Sequence, residues 1–314
     1  MYKKQRVAVV IPAYNEEKLI TKTLSTLPAF MDYAVVVNDG SKDKTLQVLK
    51  KLAKTNKKLI VVDNDGNQGV GASVVNGFRR ALKTRADVIG VMAADAQCNP
   101  DYIEPMIQAL LNEKLDYVKA NRFVHLDALT QMPLYRRLGN IFITLLTKFS
   151  TGYYGIFDSQ NGYGFFRRQT LEKLPLDRIG QRYDYENTLL IALSIMSAKI
   201  KDVPVPAIYG DETSSIPFFR TATRALKVLW NGFWQRMYYK YIVVNFHPIA
   251  LFLFSGLLLS LVGFGFGIYI VIEKIITGLS PSTGTVMLSV LPLVLGFQLL
   301  LTTIIMDMNN EGKN

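Results

Sequence analysis

Val7-Ala8-Val9-Val10-Ile11-Pro12-Ala13-Tyr14-Asn15-Glu16-Glu17 decides the fold: five small or β-branched apolar residues in a row, then a proline and a polar tail that opens a helix. So short an apolar run, without alternation, predicts a strand buried on both faces. The same pattern recurs three times. Residues 33–38 lead into Asn38-Asp39-Gly40-Ser41-Lys42-Asp43, residues 59–63 into Asn64-Asp65-Gly66-Asn67-Gln68-Gly69, and residues 87–92 into Ala93-Ala94-Asp95-Ala96-Gln97. Between these runs, residues 16–27, 44–53 and 70–82 carry apolar side chains at helical spacing. Such alternation predicts an α/β fold with a mostly parallel sheet and helices on both faces. Ligands then bind beyond the carboxyl ends of the strands, which is where all four polar loops fall.

Taken singly, each loop is an ordinary turn and helix cap. Four of them on one sheet edge point further. Asp and Asn can hydrogen-bond a base and a ribose, and glycine before a helix lets phosphate approach the backbone. The edge therefore reads as a nucleotide site.

Outward from this core, the 314 residues hold 36 Lys plus Arg against 25 Asp plus Glu, with 49% apolar and 19% charged, which excludes disorder and a small stapled scaffold. Residues 241–272 and 275–306 are each 32 residues without a formal charge, separated only by Glu273 and Lys274. A bilayer core takes about 20 residues of apolar helix. Spans are expected near residues 247–272 and 286–306, which excludes a wholly soluble protein. The remainder carries 34 basic and 22 acidic residues, a balance of +12 that suits anionic lipid or a phosphorylated substrate and, beside membrane spans, not nucleic acid. The positive-inside tendency places that part in the cytoplasm and makes the chain a multi-pass membrane protein. The single cysteine, Cys98, agrees with a reducing compartment, and residues 7–11 are too short a run for a secretory signal.

Three stretches carry a resemblance. Val10-Ile11-Pro12-Ala13-Tyr14-Asn15-Glu16-Glu17, Val37-Asn38-Asp39-Gly40-Ser41-Lys42-Asp43 and Asn67-Gln68-Gly69-Val70-Gly71 resemble family 2 glycosyltransferases, and within them the polyisoprenyl-phosphate sugar synthases, over residues 6–241. The resemblance implies a GT-A domain that binds a nucleotide-diphospho-sugar. It implies that Pro12, Tyr14, Asn15 and Glu16 line the nucleotide, that Asp39 contacts its base, and that Gly69 and Gly71 let the donor lie close. The metal motif of such enzymes has two aspartates and a glutamine; here it reads Ala93-Ala94-Asp95-Ala96-Gln97, without the first aspartate. Asp95 and Gln97, together with donor phosphates, would hold Mg²⁺ or Mn²⁺. The rival reading of Ala93 is an inactive relative. Cys98 reads as a small buried residue, since a hard cation has no need of thiolate.

Acceptor candidates follow in residues 116–210. Arg122 comes after a short strand at 117–120, and Arg136 and Arg137 open a helix at 133–148 whose stripe is Leu138, Ile141, Leu145 and Phe149. That helix is either core with a solvated basic end or a helix at the membrane surface whose guanidinium groups meet a lipid phosphate, and the resemblance favours the second. Residues 156–165 resemble the acceptor loop, with Asp158 in the matching place and Gln160-Asn161-Gly162 departing from the pattern; Gln160 is grouped with the acceptor residues. Asp158 has first a positioning role, and becomes a base if the acceptor is a hydroxyl. Asp184 and Glu186 read as helix N-terminal charges, the commoner case, while the resemblance implies that this region also approaches the acceptor. Residues 209–215 depart from the family's basic segment, and His125 and His247 read as structural. Residues 218–241 form an amphipathic helix, with Arg220, Arg224 and Lys227 on one face, Leu226, Trp230, Phe233 and Met237 on another, and an expected place in the bilayer interface.

The expected organisation is a catalytic domain at 1–217, a juxtamembrane helix at 218–241, and two transmembrane helices with a short cytoplasmic tail at 242–314. The expected activity is metal-dependent, inverting hexosyl transfer to a polyisoprenyl phosphate, with Asp95, Asp158 and Arg122 at the reaction centre. Transfer to a lipid hydroxyl is the alternative. Expected partners are the nucleotide sugar, the polyisoprenyl phosphate and membrane lipids, with self-association left open.

Overall fold

Valine- and isoleucine-rich runs become strands because their branched side chains fill both faces of a sheet that helices cover. A computed structural model describes residues 1–122, 134–206, 218–244 and 246–311, with 134–138, 140 and 218–222 described by backbone alone. Among these residues the strands are β1 (Val7–Ala13), β2 (Tyr33–Asn38), β3 (Leu59–Asp63), β4 (Val88–Val91), β5 (Tyr117–Asn121), β6 (Gly164–Arg167) and β7 (Ile200–Pro204). They form one sheet in the order β3-β2-β1-β4-β6-β5-β7. Only β6 runs against its neighbours, β4 and β5; the other pairings are parallel.

Register fixes the working edge. Ala13 pairs with Asn38 and Asn38 with Asp63, so the first three strands end in one row. β1 is flanked by β2 on one side and β4 on the other, so the chain winds outward from β1 and then crosses back over it. The crevice at that reversal is where open α/β sheets bind ligands.

Side chains alternate between two cores. Ala8, Val10, Val35 and Val37 pack beneath α3 (Val70–Leu82) and α7 (Tyr185–Ile195), while Val7, Val9, Ile11 and Val36 pack beneath α2 (Thr45–Thr55) and α4 (Ile103–Asn112). Fully burying one such side chain contributes about 1.5–3 kcal/mol. Gly77 of α3 lets that helix sit on β1: a Cβ there would lie 2.1 Å from Val10 Cγ1. The first helix, α1 (Ile20–Ser25), is shorter than the expected 16–27; the residues before it are tied to the next connection, with the Glu16 N–H donating to Thr45 Oγ1 at the start of α2 and the Glu17 N–H to Asp43 Oδ2.

Of its two readings, core helix and membrane-surface helix, α5 (Leu134–Thr151) departs from the first. Ile141, Phe142 and Leu145 are 58%, 54% and 49% exposed, whereas Thr147, Ser150 and Thr151 are buried. The inward residues are satisfied locally: Thr147 and Thr151 hydroxyls donate to carbonyls one turn back, and Ser150 Oγ donates to the Leu229 carbonyl at 2.8 Å. After α6 (Arg168–Lys173), α7 and β7 comes α8 (Phe218–Tyr238). The expected apolar stripe of α8 does not act as one face: Leu226 and Trp230 are exposed, and Ala225 and Leu229 are buried. The reason is Gly232, which lets the helix close on Ile191 of α7 and so turns Leu229 inward.

The chain divides into two compact units, Met1–Phe233 and Trp234–Asn314. In the second, α8 continues into a π-helical turn, Tyr239–Val244, followed by α9 (Pro248–Thr277) and α10 (Thr283–Asn309), both long and apolar enough to cross a membrane. His247 and Ser282 cap their N-termini. Gly256, Gly263 and Gly296 bring the two backbones together, and Ser289 Oγ donates to the Gly263 carbonyl at 2.8 Å. Asp307 accepts both arms of the buried Arg236 guanidinium, at 2.7 and 2.9 Å, and the Tyr241 hydroxyl.

Candidate active site

At the sheet reversal lies a cleft of about 570 Å³, lined among others by Pro12, Tyr14, Glu16, Asp39, Gly69, Asp95, Gln97, Arg122 and Gln160. Nine of the expected site residues thus share one concavity. Three others, Asn15, Gly71 and the buried Asp158, do not line it. Asn15, at φ 59°, ties two loops together: its N–H donates to Ser41 Oγ at 3.0 Å and its Oδ1 accepts from the Lys42 N–H at 2.8 Å. Gly71 faces the Gly180 carbonyl and Tyr185, where a Cβ would lie 2.0 Å from that oxygen. Arg136 and Arg137 have side chains outside the described residues, as do the expectations on His125, residues 209–215 and Arg220.

Asp39 is the hinge of the nucleotide side. It is 3% exposed, and its carboxylate accepts from Asn64 Nδ2 at 3.0 Å and from the Gln68 and Gly69 N–H groups at 2.9 Å each. Those bonds fix the loop that turns through Gly69 (φ 100°) into α3. Glycine is required at that φ, and also at Gly40 (φ 65°), whose Cβ would strike Gly66.

Asp95 follows β4, with Oδ1 accepting the Gln97 N–H at 3.0 Å across Ala96 in the left-handed region at φ 57°. Among the described residues no three His, Cys, Asp or Glu side chains cluster to hold a metal by themselves. Burial pushes the Cys98 thiol up to about 12, so it stays neutral beside Asp95.

The far wall is built on β5 and the residues after it. Arg122 grips Asp158 with both arms, Nε to Oδ2 at 2.8 Å and Nη2 to Oδ1 at 3.0 Å, and adds its backbone N–H at 3.1 Å. Asp158 is fully buried; burial alone would raise its pKa, but the hydrogen bonds and charge of Arg122 hold it below the usual carboxylate range. Beside this pair lies a buried group of titratable side chains. Lys119, 1% exposed, donates to the Asn161 carbonyl; burial lowers its pKa against the carboxyls of Asp158, Asp202 and Glu186. Burial also raises Asp202 to about 6 and Glu186 to about 8. Glu186 is therefore not a solvated helix-end charge. Asp184 is the residue that behaves structurally there, ion-paired with Arg224 at 3.3 Å, which removes Arg224 from the free basic face expected of α8. The two acids differ in the structure: Glu186 falls in the first turn of α7, with Tyr185 and Asn187 buried on either side.

Comparison with known proteins identifies the family and the fold. The family model described as "Glycosyl transferase family 2" matches residues 8–175. A UDP-N-acetylglucosamine–dolichyl-phosphate N-acetylglucosaminyltransferase of Methanococcus voltae is 32% identical over 218 residues, covering 65% of this chain and 86% of that one. An undecaprenyl-phosphate mannosyltransferase of Micrococcus luteus is 26% identical over 64% of this chain and 82% of its own. Among solved structures, glucosyl-3-phosphoglycerate synthase of Mycobacterium tuberculosis, in complex with Mn²⁺, UDP-glucose and phosphoglyceric acid, superposes with a TM-score of 0.54 at 19% identity, over 73% of this chain and 80% of that one, and so shares the GT-A-like fold. By the extent of these matches, the chain is a member of glycosyl transferase family 2.

Proposed function

We propose that the protein is a membrane-anchored inverting glycosyltransferase that moves a sugar from a nucleotide-diphospho-sugar to a polyisoprenyl phosphate. One observation carries the choice of acceptor: Asp158, the carboxylate that the sequence reading would make a base for a hydroxyl acceptor, is fully buried, lies off the cleft wall and is held by both arms of Arg122. A hydroxyl acceptor needs a base to take its proton. A phosphate does not, because its oxygen is already ionised near neutral pH. The relatives named for dolichyl- and undecaprenyl-phosphate transfer support the same reading.

In this mechanism the acceptor phosphate oxygen forms a bond to the anomeric carbon as the bond from that carbon to the diphosphate breaks, in one inverting displacement without proton transfer. Arg122 orients the acceptor phosphate, and the Asp39-braced loop holds the nucleotide. Asp95 and Gln97 offer oxygen ligands to a divalent cation, a small set of the kind Mg²⁺ completes with substrate phosphates and water. Such a cation supplies charge neutralisation at the departing diphosphate. The outward apolar face of α5, with exposed Phe157 beside Lys148 at 3.7 Å from its ring, suits a bilayer surface, and α9 and α10 suit a two-span anchor with the Met1–Phe233 unit on the cytoplasmic side.

The test is a donor screen with the full chain in membranes, radiolabelled nucleotide sugars and added polyisoprenyl phosphate, followed by lipid extraction. A labelled lipid cleaved by mild acid is the expected product. An acid-stable labelled lipid establishes a glycoside and replaces phosphate by hydroxyl as the acceptor.

A further inference from the structure

Glu186 lines the cleft with Tyr185, Gly162 and Gln160, and its Oε2 atom is buried without a hydrogen-bond partner. Its other requirements are met within the protein: the Tyr185 hydroxyl bonds to the carboxyl, and Gly162 leaves the room, since a Cβ there would strike that hydroxyl and lie 3.6 Å from Glu186 Oε1. A buried polar atom left unmatched at the wall of a ligand cleft is costly unless the ligand matches it.

Burial sets the state of that atom. The groups facing it are Tyr185 on its own helix, Tyr117 and Lys119 on β5, and Arg122 just beyond. Arg122 is ion-paired with Asp158, and Lys119 lies beside two further carboxyls, Asp202 and Glu186. Burial favours a proton on one of the two. Glu186, pushed up to about 8 against about 6 for Asp202, is the one that carries it at neutral pH. A first-turn glutamate ordinarily gains from ionising at a helix N-terminus; here burial outweighs that gain. A neutral acid also tolerates two anions, the donor diphosphate and the acceptor phosphate, where a carboxylate would repel both.

We propose that Glu186 is the sugar-reading group of the cleft, its protonated Oε2 donating a hydrogen bond to one hydroxyl of the transferred sugar. This deepens the proposed function and rests on its donor half, that a nucleotide sugar occupies the cleft. It does not rest on the identity of the acceptor.

The experiment uses the full chain in membranes with UDP-glucose, UDP-N-acetylglucosamine and GDP-mannose, the matching nucleoside diphosphates, and monodeoxy forms of the donor that binds. Glu186→Ala weakens nucleotide-sugar binding and lowers kcat/KM by about 10–100-fold, while nucleoside diphosphate affinity, which also reports folding, is kept. Glu186→Gln recovers about tenfold of that loss because its amide still donates. In wild type, donor affinity and kcat/KM fall as pH rises through about 8, where Glu186 loses its proton, and the Gln variant lacks that fall. One monodeoxy donor costs the wild type about as much as Glu186→Ala does, and costs that variant no more. Equal loss with every monodeoxy donor in both proteins overturns the proposal, as does a Gln variant no better than Ala with nucleoside diphosphate binding intact. Failure of polyisoprenyl phosphate as acceptor, with the donor-binding pattern unchanged, overturns the acceptor reading alone.

Discussion

One side chain, Asp95, stands where a cation-holding motif has two carboxylates, because Ala93 occupies the other position. With so few ligands from the chain, replacing it leaves the cation little hold. Asp95→Ala is expected to lower turnover at least about 100-fold and to leave the thermal midpoint in place, with excess chelator reproducing the loss in wild type; a steady-state assay and a melting curve check both. Asp95, Asp39 and Gly69 were legible because short polar loops after strands have few uses at a sheet edge. Glu186 was not, since a glutamate at a helix start looks alike in sequence whether solvent or Lys119 and Tyr117 surround it. Its raised pKa also has a sign. The folded chain holds a proton on Glu186 that the unfolded chain releases near 4.5, so this group's contribution declines as pH rises from about 4.5 to about 8.

Among the elements, β1 to β3 and α3 were readable because β-branched runs and helical spacing are local signals. β6 was not: Gly164-Phe165-Phe166-Arg167 is four residues long, without alternation, and becomes a strand only by pairing with β4 and β5. The spacing of α5 was right and its sidedness open, since an apolar stripe does not say whether protein or lipid covers it. Ile141→Asp with Leu145→Asp is expected to change unfolding free energy by no more than about 0.5 kcal/mol, as for surface positions. The same pair should raise KM for a long-chain polyisoprenyl phosphate about tenfold and leave nucleotide binding alone, which vesicle kinetics would show. At the base of the spans, Asp307→Ala leaves the Arg236 guanidinium buried and unpaired. A loss of about 3–5 kcal/mol is expected, seen as a lower unfolding midpoint of the Trp234–Asn314 unit in detergent.

For the whole molecule, the cleft belongs to one compact unit: among the described residues, all that line it lie before Phe233. A chain ending at Phe233 is expected to fold and to bind nucleoside diphosphate within about threefold of the full protein's affinity, equivalent to ~0.7 kcal/mol or less, by calorimetry; loss of binding in a folded truncation would place part of the donor site in the second unit. The position of β6 has a further consequence during synthesis. β4 and β5 leave the ribosome in succession but never become neighbours, because the slot between them belongs to a strand that ends at Arg167. At about 5–20 residues per second, the nascent sheet waits on the order of 4–15 s between the completion of β4 and that of β6. During that interval the edge of β4 is open to wrong pairing. The two long apolar helices follow the strands in the chain, so the sheet can close before either helix has been made.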